Sequence, residues 1–446
     1  DAVVVEVLRR LEAEGRVASG AYRPGGRGRE WVDVDVLRRL RRRSLATLRS
    51  EIEAVEPAAF AAFLPSWQDV ERDRTGPDGL SEAVRRLRGA AIPASILERD
   101  VLDLRIRSGS GRIDDLLVGG DIVWIGRGPL GTRDGKIALY PRNQVPLLLW
   151  DRDQDRPDGA CHEAIRAHLD DRGASFFADL YAACGGGDPA ETLDALWDLV
   201  WSGEITNDTL APLRAFVASR PRRAARRRPS RSVATPPSAS GRWYLVSDLL
   251  TTPVGVEEAA TARAEMFLDR YGVVTRAGVL AEGLPNGFAG LYPVLSAMED
   301  AGRVRRGYFV EGLGGAQFGL PGAIGRVRSD RPDRPIVLAA ADPANAYGAN
   351  IPWPEHPAAK PARRSGAYVV LFRGDVVVFS ERGGRRALAY STDTGAVAAA
   401  LAAVAKHRGD MTVETIDGEP VAGSPWEGDL AEAGFRSGYR GFTLRT

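Results

Sequence analysis

The residues of this sequence best suited to a chemical task are arginines that occur in short clusters. Five arginines lie within residues 38–43 and six within 220–228. Of the sixty basic residues only three are lysines, and fifty-nine acidic residues leave a net charge of +1. Clustered guanidinium groups on a neutral background form local positive patches, which attract a phosphate backbone. The alternative is that both clusters are solvated helix faces or linkers.

The motifs of common enzymes are missing from the sequence. There is no phosphate-binding Gly-x-x-x-x-Gly-Lys-Ser/Thr loop, no paired acidic box, no dinucleotide fingerprint and no Gly-x-Ser-x-Gly turn. His162 and His168 are six residues apart, so they do not share a helix face, and Cys161 has no third ligand nearby. We therefore predict no catalytic residue, no metal site and no cofactor in this chain. Three acidic residues that could form a carboxylate pair are interpreted as charge on a helix face: Glu98, Asp100 and Asp103.

The composition is typical of a globular protein, with 44% hydrophobic and 27% charged residues. No apolar run approaches the roughly 18 to 20 residues of a membrane helix, and the first residues lack a leader pattern. Cys161 and Cys184 are too few for a disulfide framework. We therefore expect a cytoplasmic, nucleoid-associated protein without a membrane partner. The first residue is Asp1 and not Met, which favours a fragment of a longer chain.

One pattern occurs four times along the chain. Apolar residues at helical spacing are followed by a glycine, one further residue and a β-branched residue, and these glycines are Gly15, Gly120, Gly203 and Gly302. A glycine just past a helix provides the left-handed cap at which the chain reverses. Hairpin-like segments follow at 18–31, 122–140 and 304–318. The pattern predicts the last helix and the wing of a winged-helix domain, although any α/β protein contains some helix–glycine–strand joints.

The sequence predicts an α+β fold with tandem winged-helix modules followed by a C-terminal β-barrel. The barrel is expected from several short strand patterns joined by tight turns after residue 335. A stretch rich in Arg and Pro has almost nothing apolar to bury and is expected to be flexible. The predicted units are a winged-helix module truncated at its N-terminus at 1–48, one or more modules at 49–150, a module at 151–219, a linker at 220–242, a module at 243–326 and the barrel at 333–446.

The predicted phosphate contacts are basic residues of the wings and the linker. On loops and strands an extended guanidinium can reach a backbone oxygen, and such contacts position DNA without reading its sequence. The predicted DNA-binding residues are Arg27, Arg29, Arg133, Lys136, Arg222, Arg223, Arg303, Arg305 and Arg306.

Several longer phrases resemble the C-terminal region of large helicase-related (Lhr) proteins, and the matches run from about residue 10 to the end of the chain. The phrases lie at 31–45, 173–177, 195–209, 271–280, 302–312 and 342–348. In that family a superfamily 2 DNA helicase core precedes a long C-terminal region. The resemblance implies tandem winged helices ending in a barrel, self-association as tetramers and a role in DNA repair. It also implies an upstream motor in the same chain that uses ATP and Mg.

These observations predict a non-motor accessory region of a bacterial DNA-repair helicase, which binds single-stranded or duplex DNA and forms homo-oligomers. The alternative is a DNA glycosylase, because Lhr C-terminal regions are similar in architecture to AlkZ-type glycosylases that remove damaged bases. Those enzymes carry Gln-x-Gln or Gln-x-Asp, and no glutamine here has Gln or Asp two residues later. Arg88 stands where Lhr relatives are expected to have Gln. The loop 342–353 is interpreted as a turn stabilised by Asx hydrogen bonds, with Trp353 filling the barrel.

Overall fold

The computed structural model describes residues 2–22, 29–40, 53–72, 75–106, 113–150, 156–218 and 235–446. Within these ranges the strands form six separate sheets, one in each of four successive modules and two in the C-terminal segment. The mixture of helices with small antiparallel sheets agrees with the predicted α+β class. No helix in the described ranges has both the length and the apolar content needed to cross a lipid bilayer.

Module 1 contains the predicted helix and wing. Its helix is followed by two antiparallel strands in which Val17 pairs with Asp33 and Gly20 with Glu30, and residues 34–40 are again helical. The elements are α1 (Ala2–Ala13), β1 (Val17–Gly20) and β2 (Glu30–Asp33).

Module 2 has the full winged-helix order of helix, short strand, helix, helix and two-stranded wing, preceded by one further helix. Its wing strands pair from Ile122 with Pro141 to Pro129 with Gly135, so the predicted hairpin is confirmed. The elements are α2 (Pro57–Trp67), α3 (Gly76–Leu87), β3 (Ile92–Pro93), α4 (Ala94–Ile96, continued by a π-helical segment Leu97–Leu102), α5 (Ile113–Val118), β4 (Ile122–Pro129), β5 (Gly135–Pro141) and α6 (Val145–Leu148).

Module 3 repeats this order, but a long insertion separates its two wing strands. The second wing strand pairs with both other strands of the module, Trp243 with Ser175 and with Asn207. The predicted boundary at 242/243 is therefore wrong, because this strand belongs to module 3 and not to the next module. The elements are α7 (Ala160–Arg172), β6 (Ser175–Phe176), α8 (Phe177–Ala183), α9 (Pro189–Trp201), β7 (Ile205–Asn207), α10 (Ala211–Ala218) and β8 (Arg242–Leu245).

The predicted linker at 220–242 thus lies inside the wing insertion of module 3. Residues 219–234 lie outside the described residues, and the remainder is packed. Ala239 is buried, its carbonyl oxygen accepts a hydrogen bond from the Trp243 indole, and the Ser238 carbonyl accepts one from Trp197. The expectation of a flexible linker is therefore wrong for residues 238–242, because two tryptophan side chains donate hydrogen bonds to carbonyl oxygens of this segment.

Module 4 again has the winged-helix order, followed by a helix that packs on α2. Its wing is short, with Arg305 paired with Gly319 and Gly307 with Gln317. The elements are α11 (Val256–Tyr271), β9 (Val273–Val274), α12 (Arg276–Ala281), α13 (Gly287–Asp300), β10 (Arg305–Gly307), β11 (Gln317–Gly319) and α14 (Pro321–Ser329).

The four repeated glycines occupy equivalent positions, after the helix that precedes the wing in each module. Gly15, Gly120, Gly203 and Gly302 have φ angles of 69°, 78°, 82° and 75°. Only glycine adopts this left-handed conformation without a steric cost. The predicted caps are therefore present in all four modules.

The C-terminal segment forms two sheets and not a visibly closed barrel. One sheet has six strands in the order β12-β13-β14-β15-β17-β18 and the other has the order β16-β20-β19. The hydrogen-bond pairing in the described segment does not close either sheet, so the predicted barrel is not confirmed. The elements are β12 (Pro335–Ala339), β13 (Tyr368–Phe372), β14 (Asp375–Glu381), β15 (Arg386–Ala389), α15 (Thr394–Arg408), β16 (Met411–Val413), β17 (Thr415–Ile416), β18 (Glu419–Pro420), α16 (Trp426–Glu432), β19 (Arg436–Gly438) and β20 (Gly441–Leu444).

Modules 2, 3 and 4 share hydrophobic cores with the C-terminal segment and are not separate units. One cluster of buried residues joins modules 2 and 3 to the C-terminal segment, and a second joins modules 2 and 4 to it. Trp197 and Trp201 are buried on α9. Cys161 and Cys184 form a single disulfide between α7 and the end of α8, a bridge that the cysteine count did not predict.

Candidate nucleic-acid interface

The predicted basic residues of modules 1 and 2 differ in their environments. Arg29 lies at the base of the first wing, 5.8 Å above the Trp31 ring and 3.9 Å from a carboxylate oxygen of Glu12. Arg133 is exposed in the turn between β4 and β5. Lys136 is half-buried on β5. Three further predicted residues lie outside the described residues: Arg27, Arg222 and Arg223.

The three arginines of the module 4 wing are not equivalent. Arg303 forms an exposed ion pair with Glu265 at 2.6 Å. Arg306 donates to the Tyr292 hydroxyl at 2.6 Å and lies 3.3 Å from Glu299. The Arg305 side chain is exposed and makes no hydrogen bond or ion pair with another described residue. Its guanidinium is therefore the one in this wing that can bind a phosphate without giving up a protein partner.

The third helices of modules 2, 3 and 4 carry no basic residue. In helix-turn-helix proteins the corresponding recognition helix enters the major groove. Each contains at least two acidic residues: Asp114 and Asp115 on α5, Glu191, Asp194 and Asp198 on α9, and Glu299 and Asp300 on α13. Like charge repels a phosphate backbone. By charge, these three helices are therefore poorly suited to contact a phosphate backbone.

In module 2 the third helix is also covered by the insertion from module 3. Arg214 on α10 binds Asp114 at 2.6 Å and Glu98 through two hydrogen bonds of 2.8 Å. The Leu210 amide donates to Asp114 at 2.8 Å. Because Asp114 lies in the first turn of α5, α10 occupies the face on which a recognition helix would meet DNA. Glu98, interpreted as charge on a helix face, is thus half-buried and ion-paired with Arg214.

A cleft of about 700 Å³ opens where module 2, module 4 and the C-terminal segment meet. Module 2 contributes residues next to β3 and, from its wing, Leu130, Asp134 and Lys136. Module 4 contributes Tyr271, Ala281 and Glu282. The C-terminal segment contributes Ala341, Pro343, Gly348, Ala349, Arg363, Arg364 and Ser365. Of the predicted DNA-binding residues in the described ranges, only Lys136 lines this cleft.

Glu282 is the acidic group in the module 4 wall of the cleft. Its Oε1 atom accepts hydrogen bonds of 2.5 Å from Arg270 and from the Tyr271 hydroxyl, whereas Oε2 has no hydrogen-bond partner among the described residues. Burial and then the charge of Glu282 raise the pKa of Tyr271, so the phenol stays protonated and donates. One carboxylate oxygen is thus held in place and the other is available to a ligand.

Arg88, which stands at the position of the expected glutamine, is connected to this carboxylate through one residue. Its carbonyl oxygen accepts a hydrogen bond from Arg270, the same arginine that binds Glu282. The Arg88 side chain is buried and ion-pairs with Asp269 at 2.9 Å. Arg88 therefore has a structural partner and does not itself line the cleft.

The loop after β12 forms the third wall and is held as the sequence predicted. The Asp342 and Asn345 side chains accept hydrogen bonds from the Ala344 and Tyr347 amides, which confirms the Asx turns. Trp353 stacks on Tyr347 with ring centroids 5.6 Å apart. These hydrogen bonds and the ring stacking hold the loop at the cleft, while the expectation that Trp353 fills a barrel is not confirmed.

A second polar cluster, around Asp100, was not predicted from the sequence. Asp100 is fully buried and accepts hydrogen bonds from Arg99 at 2.9 Å, His407 at 3.1 Å and Tyr368 at 3.2 Å. Burial would raise the pKa of Asp100, but the hydrogen bonds from His407 and Arg99 outweigh it and hold that pKa below its usual value. Burial raises the pKa of Tyr368 to about 12. The cluster joins module 2 to the C-terminal segment.

No signal in the sequence joined Asp100 to His407, because these two residues belong to different units, and none marked Glu282. In the described part of the chain no group of three or more His, Cys, Asp or Glu residues could hold a metal ion.

Together the modules and wings define a tandem winged-helix protein, and two family models agree with this class. Both carry the description "Large helicase-related protein, winged-helix domain", and they match residues 55–142 and 254–337. The chain is homologous to the C-terminal part of large helicase-related (Lhr) proteins.

Two curated relatives match along nearly the whole chain. The "Lhr helicase/ probable uracil glycosylase" of Mycolicibacterium smegmatis is 42% identical over 94% of this chain and 30% of the relative's length. The "Lhr helicase/uracil glycosylase" of Escherichia coli is 34% identical over 99% of this chain and 31% of the relative's length. The chain thus spans about a third of the length of these relatives.

Among solved structures, the Streptomyces sahachiroi DNA glycosylase AlkZ is similar in fold. The TM-score is 0.50 at 17% sequence identity, and the match covers 80% of this chain and 97% of AlkZ. At this identity the likeness concerns the fold alone.

Proposed function

We propose that this chain is a non-motor accessory region of a bacterial DNA-repair helicase and that it binds DNA through the wings of its winged-helix modules. The observation that carries the proposal is the distribution of charge: Arg305 is exposed and unpaired on a wing, while the third helices of modules 2, 3 and 4 are acidic. In the longer protein, ATP and Mg would be used by a motor outside this chain, in the cytoplasm.

The test is DNA binding as a function of salt. Fluorescence anisotropy with single-stranded and duplex oligonucleotides should give a logarithm of affinity that falls linearly with the logarithm of salt concentration. Each neutralised phosphate contributes about 0.9 to that slope on duplex DNA. An affinity that is the same at low and high salt would refute phosphate binding by the wings.

We also propose that the chain self-associates, as a tetramer. A net charge of +1 permits close approach of copies, and α1 exposes an apolar stripe that includes Val3 and Val7. Light scattering at micromolar concentration measures the mass directly. A monomer mass across that range would contradict the proposal, and substitution of both valines by Ser should lower the mass if the stripe is the interface.

A second candidate function, removal of a damaged base or uracil, is favoured by the free Oε2 atom of Glu282 in the cleft. In such a reaction water forms a bond to C1′ of the nucleotide, the bond from C1′ to the base nitrogen breaks, and the base leaves with a proton. Glu282 would accept the proton of the attacking water and release it to solvent, from which the departing base takes up its proton. The names of both curated relatives include uracil glycosylase.

The glycosylase candidate is tested with uracil-containing and lesion-containing oligonucleotides, without ATP and with alkaline cleavage of abasic sites. Cleaved product from the native chain, and none from Glu282→Gln, is the expected result. The Asp134→Asn variant is the matched control, because Asp134 also lines the cleft but is bound to Ser95 and Ser365. Absence of abasic product from the native chain would remove this candidate and leave the DNA-binding proposal intact.

A further inference from the structure

The only two cysteines of the chain are bonded to each other in module 3. Cys161 lies in the first turn of α7, and Cys184 directly follows α8. Their Cα atoms are 4.9 Å apart, within the about 4.4 to 6.8 Å that a disulfide requires. Because α7 packs against α8, the folded module keeps the two sulfurs within bonding reach, and the bridge can form again after it is broken.

The bridge ends at the turn of a helix-turn-helix element. Residues 185–187, between α8 and α9, are three glycines with φ angles of 83°, 75° and 94°. Glycine loses more backbone freedom on folding than any other residue, so ordering this turn has a high entropic cost. The Tyr181 hydroxyl also holds the turn, through a 2.8 Å hydrogen bond to the Gly187 carbonyl oxygen. Breaking the bridge removes the covalent constraint on a segment that is costly to order.

The bridge is open to small thiols in solution. Cys161 and Cys184 are half-buried, and residues beside them in the chain are exposed: Ala160, Ala183 and Gly185. In the cytoplasm, where the proposed function places this chain, low-molecular-weight thiols keep most cysteines reduced, and a disulfide that forms there is usually catalytic or redox-sensing. A bridge that small thiols can reach will respond to the ratio of thiol to disulfide around it.

The two sulfurs of the bridge differ in their electrostatic environment. Cys161 lies at the N-terminus of α7, a helix of 13 residues, and this end of a helix stabilises the negative charge of a thiolate. Glu163 in the same turn is ion-paired with Arg166. Cys184 lies at the C-terminal end of α8, which does not favour a negative charge. Cys161 is therefore the better leaving group when the bridge is attacked.

We propose that Cys161 and Cys184 form a reversible modification site for small thiols, and that the state of the bridge controls the order of the helix-turn-helix in module 3. The inference goes beyond the proposed DNA binding and uses only its cytoplasmic setting.

Reduction of the bridge takes two exchange steps. The thiolate of one small thiol forms a bond to Cys184 Sγ, the bond between the two protein sulfurs breaks, and Cys161 leaves as a thiolate. A second small thiolate then attacks the small thiol's sulfur in this mixed disulfide, and Cys184 leaves as a thiolate. The two small thiols become one disulfide, and their electrons and protons end on the two protein cysteines. Oxidation by the small disulfide is the reverse.

The test follows the bridge and the turn in the folded chain at fixed ratios of reduced to oxidised glutathione. Free thiols are alkylated with a polyethylene-glycol maleimide, and the shift on a denaturing gel gives the bridged fraction. We expect the bridge to open in reduced glutathione and to form again in oxidised glutathione, while circular dichroism shows that the fold is retained. Hydrogen–deuterium exchange at residues 181–188 should be about tenfold faster in the reduced chain, because the cross-link no longer opposes local opening.

Two variants control for the cross-link and for the turn. Cys184→Ser should exchange as fast as the reduced chain at every glutathione ratio. Tyr181→Phe is the matched control, because it removes a hydrogen bond from the same turn and leaves both cysteines in place. Its exchange at 181–188 should rise in both states and should still depend on the glutathione ratio.

Each part of the proposal has a result that overturns it. A bridge that resists reduced glutathione until the chain unfolds, or thiols that fail to pair in oxidised glutathione, would overturn the modification site. A bridge that opens without faster exchange at 181–188 would overturn its control of the turn. Mass spectrometry of the mixed disulfide should place glutathione on Cys184, and glutathione on Cys161 would overturn the direction of attack. No DNA takes part, so the outcome is independent of the DNA-binding proposal.

Discussion

Arg105 and Asp342 are fully buried and bind one another through two hydrogen bonds of 3.0 and 2.7 Å, although 237 residues separate them in the chain. Gln68 completes the arrangement, accepting a 2.8 Å hydrogen bond from Arg105 and donating to the Arg270 and Pro343 carbonyls. The network connects module 2, module 4 and the C-terminal segment behind the loop that walls the cleft. It therefore fixes the three units whose meeting creates the cleft.

Breaking this ion pair should be strongly destabilising. Asp342→Ala leaves the Arg105 guanidinium buried without its counter-charge, and we expect a loss of about 3 to 5 kcal/mol in the free energy of unfolding, measured in urea. Replacing both partners by apolar residues should cost less than the single change. As a control, Asp333→Ala, which removes an exposed partner of Arg373, should change stability by less than about 1 kcal/mol. Equal losses of stability in Asp342→Ala and Asp333→Ala would contradict the account.

The left-handed glycine cap can be tested in module 4. A Cβ atom at Gly302 meets nothing within 4 Å, so replacement acts only through the backbone at φ +75°. Gly302→Ala should lower stability by about 1 kcal/mol. Gly325 on α14 also has open space around it but a helical backbone, so Gly325→Ala should be neutral or stabilising. A destabilisation of the same size at both positions would argue against the cap.

The Asp100 cluster should make the interface between module 2 and the C-terminal segment sensitive to acid. The folded-state pKa of Asp100 lies below the usual aspartate value of about 3.9. The stabilisation is therefore fully present above that value and is lost as the pH falls through the lower folded pKa. Asp100→Asn should lower stability at pH 7 and flatten the fall in stability below about pH 5. If the free energy of unfolding falls with pH in acid equally steeply for Asp100→Asn and for the native chain, this carboxylate does not titrate as proposed.

The free wing arginine should dominate the salt dependence of DNA binding in module 4. Arg305→Ala should reduce the slope of log affinity against log salt by about 0.9, the contribution of one phosphate contact. Arg306→Ala should have a smaller effect, because Arg306 is held by Tyr292 and Glu299. Arg172→Ala removes an exposed charge from the first helix of module 3 and serves as the control. A slope unchanged by Arg305→Ala would remove this residue from the interface.

Local patterns in the sequence were sufficient to predict the repeated unit. The helix preceding Gly203 and the strand beginning at Ile205 are specified by residues close in sequence, through apolar spacing and a backbone conformation that glycine favours. The same local information misplaced β8. Thirty-four residues, 208–241, separate it from its partner strand β7, and the arginine-rich composition between them is typical of a linker.

The candidate site could not be predicted in the same way. Lys136, Glu282 and Arg364 come from three units, and their positions along the chain do not indicate that they line the same cleft. The sequence pattern placed Asp100 among charges on a helix face, because its partners Tyr368 and His407 are more than 260 residues away. Of the site, only basic residues on wings could be predicted, because a hairpin turn rich in Gly and Arg is a local feature.

The central claim, that DNA meets the wings and the cleft and not the third helices, is tested most directly by hydrogen–deuterium exchange of the whole chain with and without DNA. We expect slower exchange on DNA binding at residues 130–136, 276–282 and 303–308. Exchange in α9 and α13 should stay unchanged. Protection centred on α9 and α13, with the wings unaffected, would contradict the account.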